Sequence, residues 1–221
     1  MEQNNKFFVY DSYVFAFKNA LANARIITLA YITWLAVLIP LAIITGLSYR
    51  TCFAMLPSIG VTWKPLAHQL LQTSSVMMLL LILITLLVAA WITISLVQIV
   101  LRIYKTGEAY FSDLFPSPWL IIKAYISFII LIPIALLGLI LFIVPGLYFI
   151  IRSWFYMYAL VEGEGIFEAF STSFRITHGK EWQIFSLLVI GGALATVTMF
   201  FGIFIWALSS IYVYRLLKKG S

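Results

Sequence analysis

LFIVPGLYFIIRSWFYMYALVEGEGIFEAFSTSFRITHGKEW, residues 141 to 182, is the stretch on which the reading of the fold turns. It holds an apolar hairpin broken at Pro145-Gly146, a turn signal between two apolar runs, and one arginine, Arg152, inside the second run. An amphipathic aromatic segment follows and leads into a further long apolar run. A chain that repeats this plan has lipid, not water, around its helices.

The composition agrees. Of 221 residues, 63% are hydrophobic and 10% charged, with a mean hydropathy of +1.06. Soluble domains are about half apolar and about a quarter charged, and a soluble surface could not hide this much apolar side chain. The whole chain, 1–221, therefore reads as a single polytopic membrane domain. Glu2 and Asp11 stand where a cleavable leader would be basic, so no signal peptide is expected. The lone Cys52 is silent on redox compartment.

Outward from the opening stretch, apolar runs place six spans at about 26–48, 75–101, 119–144, 147–161, 182–199 and 202–217. Pro40 and Pro133 fall inside spans 1 and 3, where neighbouring helices can accommodate a kink. Residues 49–74, with Arg50, Pro57, Lys64 and Pro65, are read as a loop. The last two spans follow from length. One helix over 182–217 would measure about 54 Å, too long for a hydrocarbon core about 30 Å thick, so the chain must turn near Met199 to Gly202. Gly191 and Ala195 make a small-xxx-small pair suited to close helix packing.

Two segments carry interfacial patterning. In 6–24, Phe7, Tyr10, Val14, Phe17 and Leu21 recur at helical spacing opposite Asp11, Lys18 and Asn19. In 165–178, Ile166, Phe167, Phe170 and Phe174 oppose Glu168, Ser171, Thr172 and Arg175. Both predict helices in the headgroup region with their aromatic faces down. The expected fold class is all-α integral membrane: six transmembrane helices as three hairpins, with cytoplasmic amphipathic interfacial helices before spans 1 and 5. With the N-terminus inside, eleven Lys/Arg lie on the inner face against Arg50 and Lys64 outside, which sets N- and C-termini cytoplasmic. Aromatic-rich inner segments before spans 1, 3 and 5 suggest a repeat of three parallel hairpins, although interfacial aromatics flank any span.

The ordered set Phe111-Ser112-Asp113-Leu114-Phe115, Val144-Pro145-Gly146, Arg152, Glu168-Ala169, Ser173-Phe174-Arg175-Ile176-Thr177-His178-Gly179 and Trp182 resembles bacterial six-span membrane families of unknown function. That group includes the membrane domain attached to some glycerophosphodiester phosphodiesterases, and the likeness covers about 107–214. It implies a bacterial cytoplasmic (inner) membrane location. It lends no chemistry, because the phosphodiesterase catalytic domain of some relatives has no counterpart here.

Elimination narrows the function. A membrane-embedded hydrolase needs a nucleophile with its base, paired carboxylates or a metal cluster. His68 and His178 fall on opposite faces, so they cannot share a metal, and no metal site or cofactor is expected. Coupled transport usually uses an acid within the membrane, and the six spans contain no Asp, Glu or His. Nucleic acid is not expected as a partner, since topology accounts for the basic residues.

Arg152 remains, roughly 10 Å from the outer end of its helix. An unaccompanied guanidinium there costs on the order of 3 kcal/mol. It is a candidate for gripping a lipid phosphate or anionic ligand. Otherwise it reaches the outer headgroups, or hydrogen-bonds carbonyls freed at Pro40 and Pro133. Glu168, Ser173, Phe174, Arg175, His178 and Trp182 are candidates for the interface or for docking a partner. Glu162 and Glu164, with Glu168 and Arg175, read as a wet inner surface. The expectation is a non-enzymatic inner-membrane protein that binds membrane lipids or serves as scaffold to another membrane protein or to its own copies. The alternative is a small passive or exchange transporter for an anionic or lipid-like solute.

Overall fold

A computed structural model describes residues 3–55, 64–198 and 201–219, and every regular element among them is helical. In order they are α1 (Gln3–Ala22), α2 (Ala24–Met55), α3 (Lys64–Thr106), a 3-10 turn (Phe111–Leu114), α4 (Pro118–Leu141), α5 (Ile143–Ser153), α6 (Tyr156–Val161), α7 (Ile166–Thr177), α8 (Glu181–Thr198) and α9 (Phe201–Lys219). Among the described residues six segments are long and apolar enough to cross a membrane: Ala24–Gly46, Leu79–Thr106, Phe111–Leu141, Ile143–Val161, Glu181–Thr198 and Phe201–Lys219. The protein is an all-α, multi-pass membrane protein, as its sequence predicts.

The chain divides into two compact units. One is Ile32–Ala89, made of the distal part of α2 and the proximal part of α3. Within it α2 continues through Pro40, and much of the expected loop 49–74 is helix, since α2 runs to Met55 and α3 starts at Lys64. Pro57 and the side chains of Arg50, Cys52, Lys64, Pro65 and His68 lie outside the described residues, as does the turn at Met199.

The larger unit, Met1–Tyr31 with Ala90–Ser221, carries the sites discussed below. Its centre is α9, which buries Phe204, Leu208, Ile211 and Tyr214. The α8–α9 hairpin closes on small residues. A Cβ on Gly191 would overlap the Trp206 ring, and one on Gly202 would meet the Ala195 Cα at 2.5 Å. Both members of the Gly191/Ala195 pair therefore face α9. The α4–α5 hairpin is close-packed as well. Its turn falls at Phe142, with extended backbone (φ −152°, ψ 111°), and not at Pro145-Gly146. Pro145 lies in the first turn of α5, where its missing N–H costs nothing. Gly146 packs on α4, where a Cβ would meet the Leu139 nitrogen at 2.6 Å.

The helix expected at 6–24 is present as α1, and it packs on α9. α1 and α9 make the most extensive packing of any two described elements. The Ser209 hydroxyl donates to the Ser12 carbonyl at 3.3 Å and the Phe15 ring meets Tyr212 at 5.0 Å. The two helices thus advance together. Its buried face is Ser12, Ala16 and Ala20, while Tyr10, Val14, Phe17 and Leu21 are exposed. Lipid supplies no hydrophobic force between helices, so small faces pack and apolar stripes face the acyl chains.

Candidate functional site: the clasp between α5 and α7

Span 4 is one run in the sequence and two helices in the structure. α5 ends at Ser153 and α6 begins at Tyr156. A helix break orphans backbone donors and acceptors, and in a membrane these must find protein partners. Ser173 of α7 supplies them. Its Oγ donates to the Arg152 carbonyl at 2.7 Å and accepts the Phe155 N–H at 3.2 Å. Thr177, one turn on, places its Oγ1 3.5 Å from the same carbonyl and bonds Ser173 O more closely, at 2.8 Å. Both hydroxyl residues are fully buried.

Arg152 completes the clasp from the other side. Its Nη2 donates to the Phe174 carbonyl at 2.5 Å, one of the last four carbonyls of α7, which have no backbone partner within the helix. Nη1 donates to the Tyr148 hydroxyl at 2.8 Å. The guanidinium also lies over the Tyr148 and Phe174 rings, 5.4 Å and 5.2 Å from their centroids. A cation at a helix C-terminus meets the negative end of the helix dipole. Arg152 is therefore held by a helix end and an aromatic hydroxyl within the protein. Its acceptors are not the carbonyls at Pro40 or Pro133.

The other predicted residues are not brought together. Glu168 caps the start of α7, its Oε2 accepting the Gly165 N–H at 3.0 Å. Arg175 and His178 are exposed at the far end of that helix. Trp182, 81% exposed, stands edge-on to Phe185. The buried face of α7 is Ala169, Thr172, Ser173, Ile176 and Thr177, whereas Phe167 is 80% exposed. Thr172, read as part of the polar outer face, therefore points inward. The cause is the one seen in α1: the small, hydroxyl-bearing side packs.

A second polar centre lies at the end of α9. Glu162, just past α6, accepts the Tyr214 hydroxyl at 2.8 Å and the Lys218 ammonium at 2.8 Å, and it pairs with Arg215. Lys218 also meets Glu164 at 2.9 Å. The Glu162 side chain is only 13% exposed, so the reading of Glu162 and Glu164 as a wet surface is corrected. Burial alone would raise the Glu162 carboxyl. The hydrogen bonds from Lys218 and Tyr214 and the charges of Arg215 and Lys218 outweigh it and hold the carboxyl below the usual range. Tyr214 and Lys218, at i and i+4, reach one carboxylate from a single helix face.

Two apolar grooves flank Trp182. One, of about 590 Å³, lies between Val144, Leu147, Tyr148 and Ile151 of α5 and Glu181, Trp182 and Phe185 of α8. The other, of about 670 Å³, runs between Tyr10 and Tyr13 of α1 and Gln183, Ser186, Ile190 and Leu194 of α8. Tyr148, which Arg152 holds, is the link between the clasp and the first groove.

The chain matches no family model, no curated protein and no solved structure.

Proposed function

We propose that this is a non-enzymatic protein of a bacterial inner membrane that binds lipid along the α5–α8 groove. The observation that carries the reading is that groove, apolar along Val144, Leu147, Ile151 and Phe185 and lined also by Tyr148 and Glu181. In a bilayer such a cleft fills with acyl chain, and Tyr148 and Glu181 offer the few polar groups that orient a ligand there. Arg152 acts through Tyr148, fixing its ring and hydroxyl, so it serves here as a positioning residue and not as the grip on a phosphate. The end that bears Arg102, Lys105, Arg175, Lys180, Arg215 and Lys218 is the cytoplasmic one in this proposal.

The likeness of 107–214 to the glycerophosphodiester phosphodiesterase membrane domain group belongs to the same proposal. Its support is local: Arg152, Ser173 and Phe174, which carry part of the likeness, form the clasp. A non-enzymatic role is favoured because four of the eight acids are committed to structure. Glu162 and Glu164 hold Lys218, Glu168 caps α7, and Asp113 accepts the Tyr110 N–H. A transporter carrying a solute past Arg152 needs a polar-lined path, whereas the groove beside Arg152 is walled by aliphatic and aromatic side chains.

A photoreactive acyl-chain phospholipid in nanodiscs tests the reading. Peptide mapping should place crosslinks within 144–151 and 181–185. Crosslinks spread evenly over the exposed apolar faces of α2 and α4 would overturn it.

A further inference from the structure

Away from the clasp, and reaching Val161 at the end of α6, a polar cleft of about 590 Å³ opens between the last turns of α3, the 3-10 turn and the start of α4. Gln98, Leu101, Arg102 and Lys105 share one face of α3, as their i, i+3, i+4 spacing requires. The 3-10 turn is folded back on that helix: the Leu114 carbonyl accepts Ser95 Oγ at 2.7 Å and Trp91 Nε1 at 3.2 Å. Asp113 faces Arg102 with Oδ2 3.6 Å from Nε and accepts the Tyr110 N–H at 2.9 Å. This acid is thus occupied by the turn it closes. The Ser112 and Ser117 hydroxyls line the same cleft, and Ser117, the residue before α4, makes no capping bond with its side chain.

We propose that this cleft binds a phosphate-bearing anion. Arg102 and Lys105 stand against Asp113, which leaves one net positive charge. Among the described residues the Lys105 ammonium and the remaining Arg102 donors have no protein acceptor. Ser112 and Ser117 bring two hydroxyl groups to the same cleft, and with the two cations they make a donor set suited to phosphate oxygens. Phe115 of the lining, and Phe111 and Trp119 near it in the chain, are all more than half exposed, as aromatic residues at headgroup depth are. Both an anionic phospholipid headgroup and a soluble phosphate ester present this chemistry. The inference uses the membrane setting but not the α5–α8 groove, so Leu147→Trp, which fills that groove, should leave it intact.

The test is retention of phosphatidylglycerol against phosphatidylcholine by native mass spectrometry of the protein released from mixed nanodiscs, with and without millimolar glycerol phosphate. Wild-type protein should prefer phosphatidylglycerol. Lys105→Gln should lower that preference about tenfold, the value of one charge-assisted hydrogen bond, while Arg175→Gln, an exposed cation outside the cleft, should not. Arg102→Gln should act in the same direction, but it also frees Asp113, so Lys105→Gln decides. Competition by glycerol phosphate identifies a soluble ester as an equal ligand, and resistance to it identifies the lipid. An undiminished preference in Lys105→Gln overturns the proposal. So does wild-type protein that shows no preference and no thermal stabilisation by glycerol phosphate.

Discussion

The Ser173 hydroxyl donates to the Arg152 carbonyl at 2.7 Å and in the same position accepts the Phe155 N–H, so one side chain spans both ends of a broken transmembrane helix. Ser173→Ala would leave the buried Phe155 N–H without its partner and the Arg152 carbonyl with only the longer 3.5 Å contact from Thr177. The expected loss is about 1–2 kcal/mol in detergent unfolding, given the modest value of hydrogen bonds in membranes. Ser171→Ala, on the exposed side of the same helix, should change stability by less than about 0.5 kcal/mol.

Arg152 holds the last turn of α7 through Phe174. Arg152→Lys keeps the charge but cannot serve Tyr148 and Phe174 from one planar fork. Hydrogen exchange over 175–179 should then be several-fold faster, with little change over α9. Uniform exchange across the chain would mean that the guanidinium does not act on α7.

Glu162 gives a pH dependence of definite sign. Its carboxyl is held below the ordinary 4.5, so the unfolded chain takes up the proton at a higher pH than the folded one. The stabilisation is whole above that ordinary value and is lost as pH falls through the folded value. Thermal midpoints should therefore fall on acidification below about pH 5, and Glu162→Gln should be less stable at pH 7 and flatter across the acid range. An acid slope as steep in Glu162→Gln as in wild type would assign the effect to another group.

Two glycines separate packing from propensity. A methyl on Gly146 would enter the backbone of α4, which cannot swing aside as a side chain can, so Gly146→Ala should destabilise by about 1–3 kcal/mol. At Gly192 nothing lies within 4 Å of the place a methyl would take, and Gly192→Ala should be neutral or slightly stabilising, as helix propensity dictates. Thermal unfolding of the pair in one detergent checks both.

The spans were legible because run length alone forces them. A continuous helix over 182–217 would overshoot the bilayer, and the hairpin that results uses Gly191 and Ala195 as their spacing suggests. The helices α1 and α7 were legible as helices, but the faces by which they pack on the rest of the protein were not. In a soluble protein the aromatic stripe would be the side that docks, whereas here Ser12, Ala16 and Ala20, and Thr172, Ser173 and Thr177, are the sides that pack. The break in span 4 has no local mark, since no Pro or Gly stands at 153–155. The groups it frees are satisfied by Ser173, eighteen residues on from Phe155. The Glu162 centre draws on Tyr214 and Lys218, 52 and 56 residues away, a pairing that periodicity cannot reveal. Tyr148 and Arg152, at i and i+4, were within reach of the sequence, because that spacing puts a hydroxyl beside a guanidinium on one helix face.

Native mass spectrometry of wild-type protein and Leu147→Trp, purified side by side from native membranes, tests the lipid groove most directly. The account predicts phospholipid adducts on wild-type protein that are depleted in Leu147→Trp, with the fold unchanged by circular dichroism. Equal adducts on both proteins, or none on wild type, would contradict it.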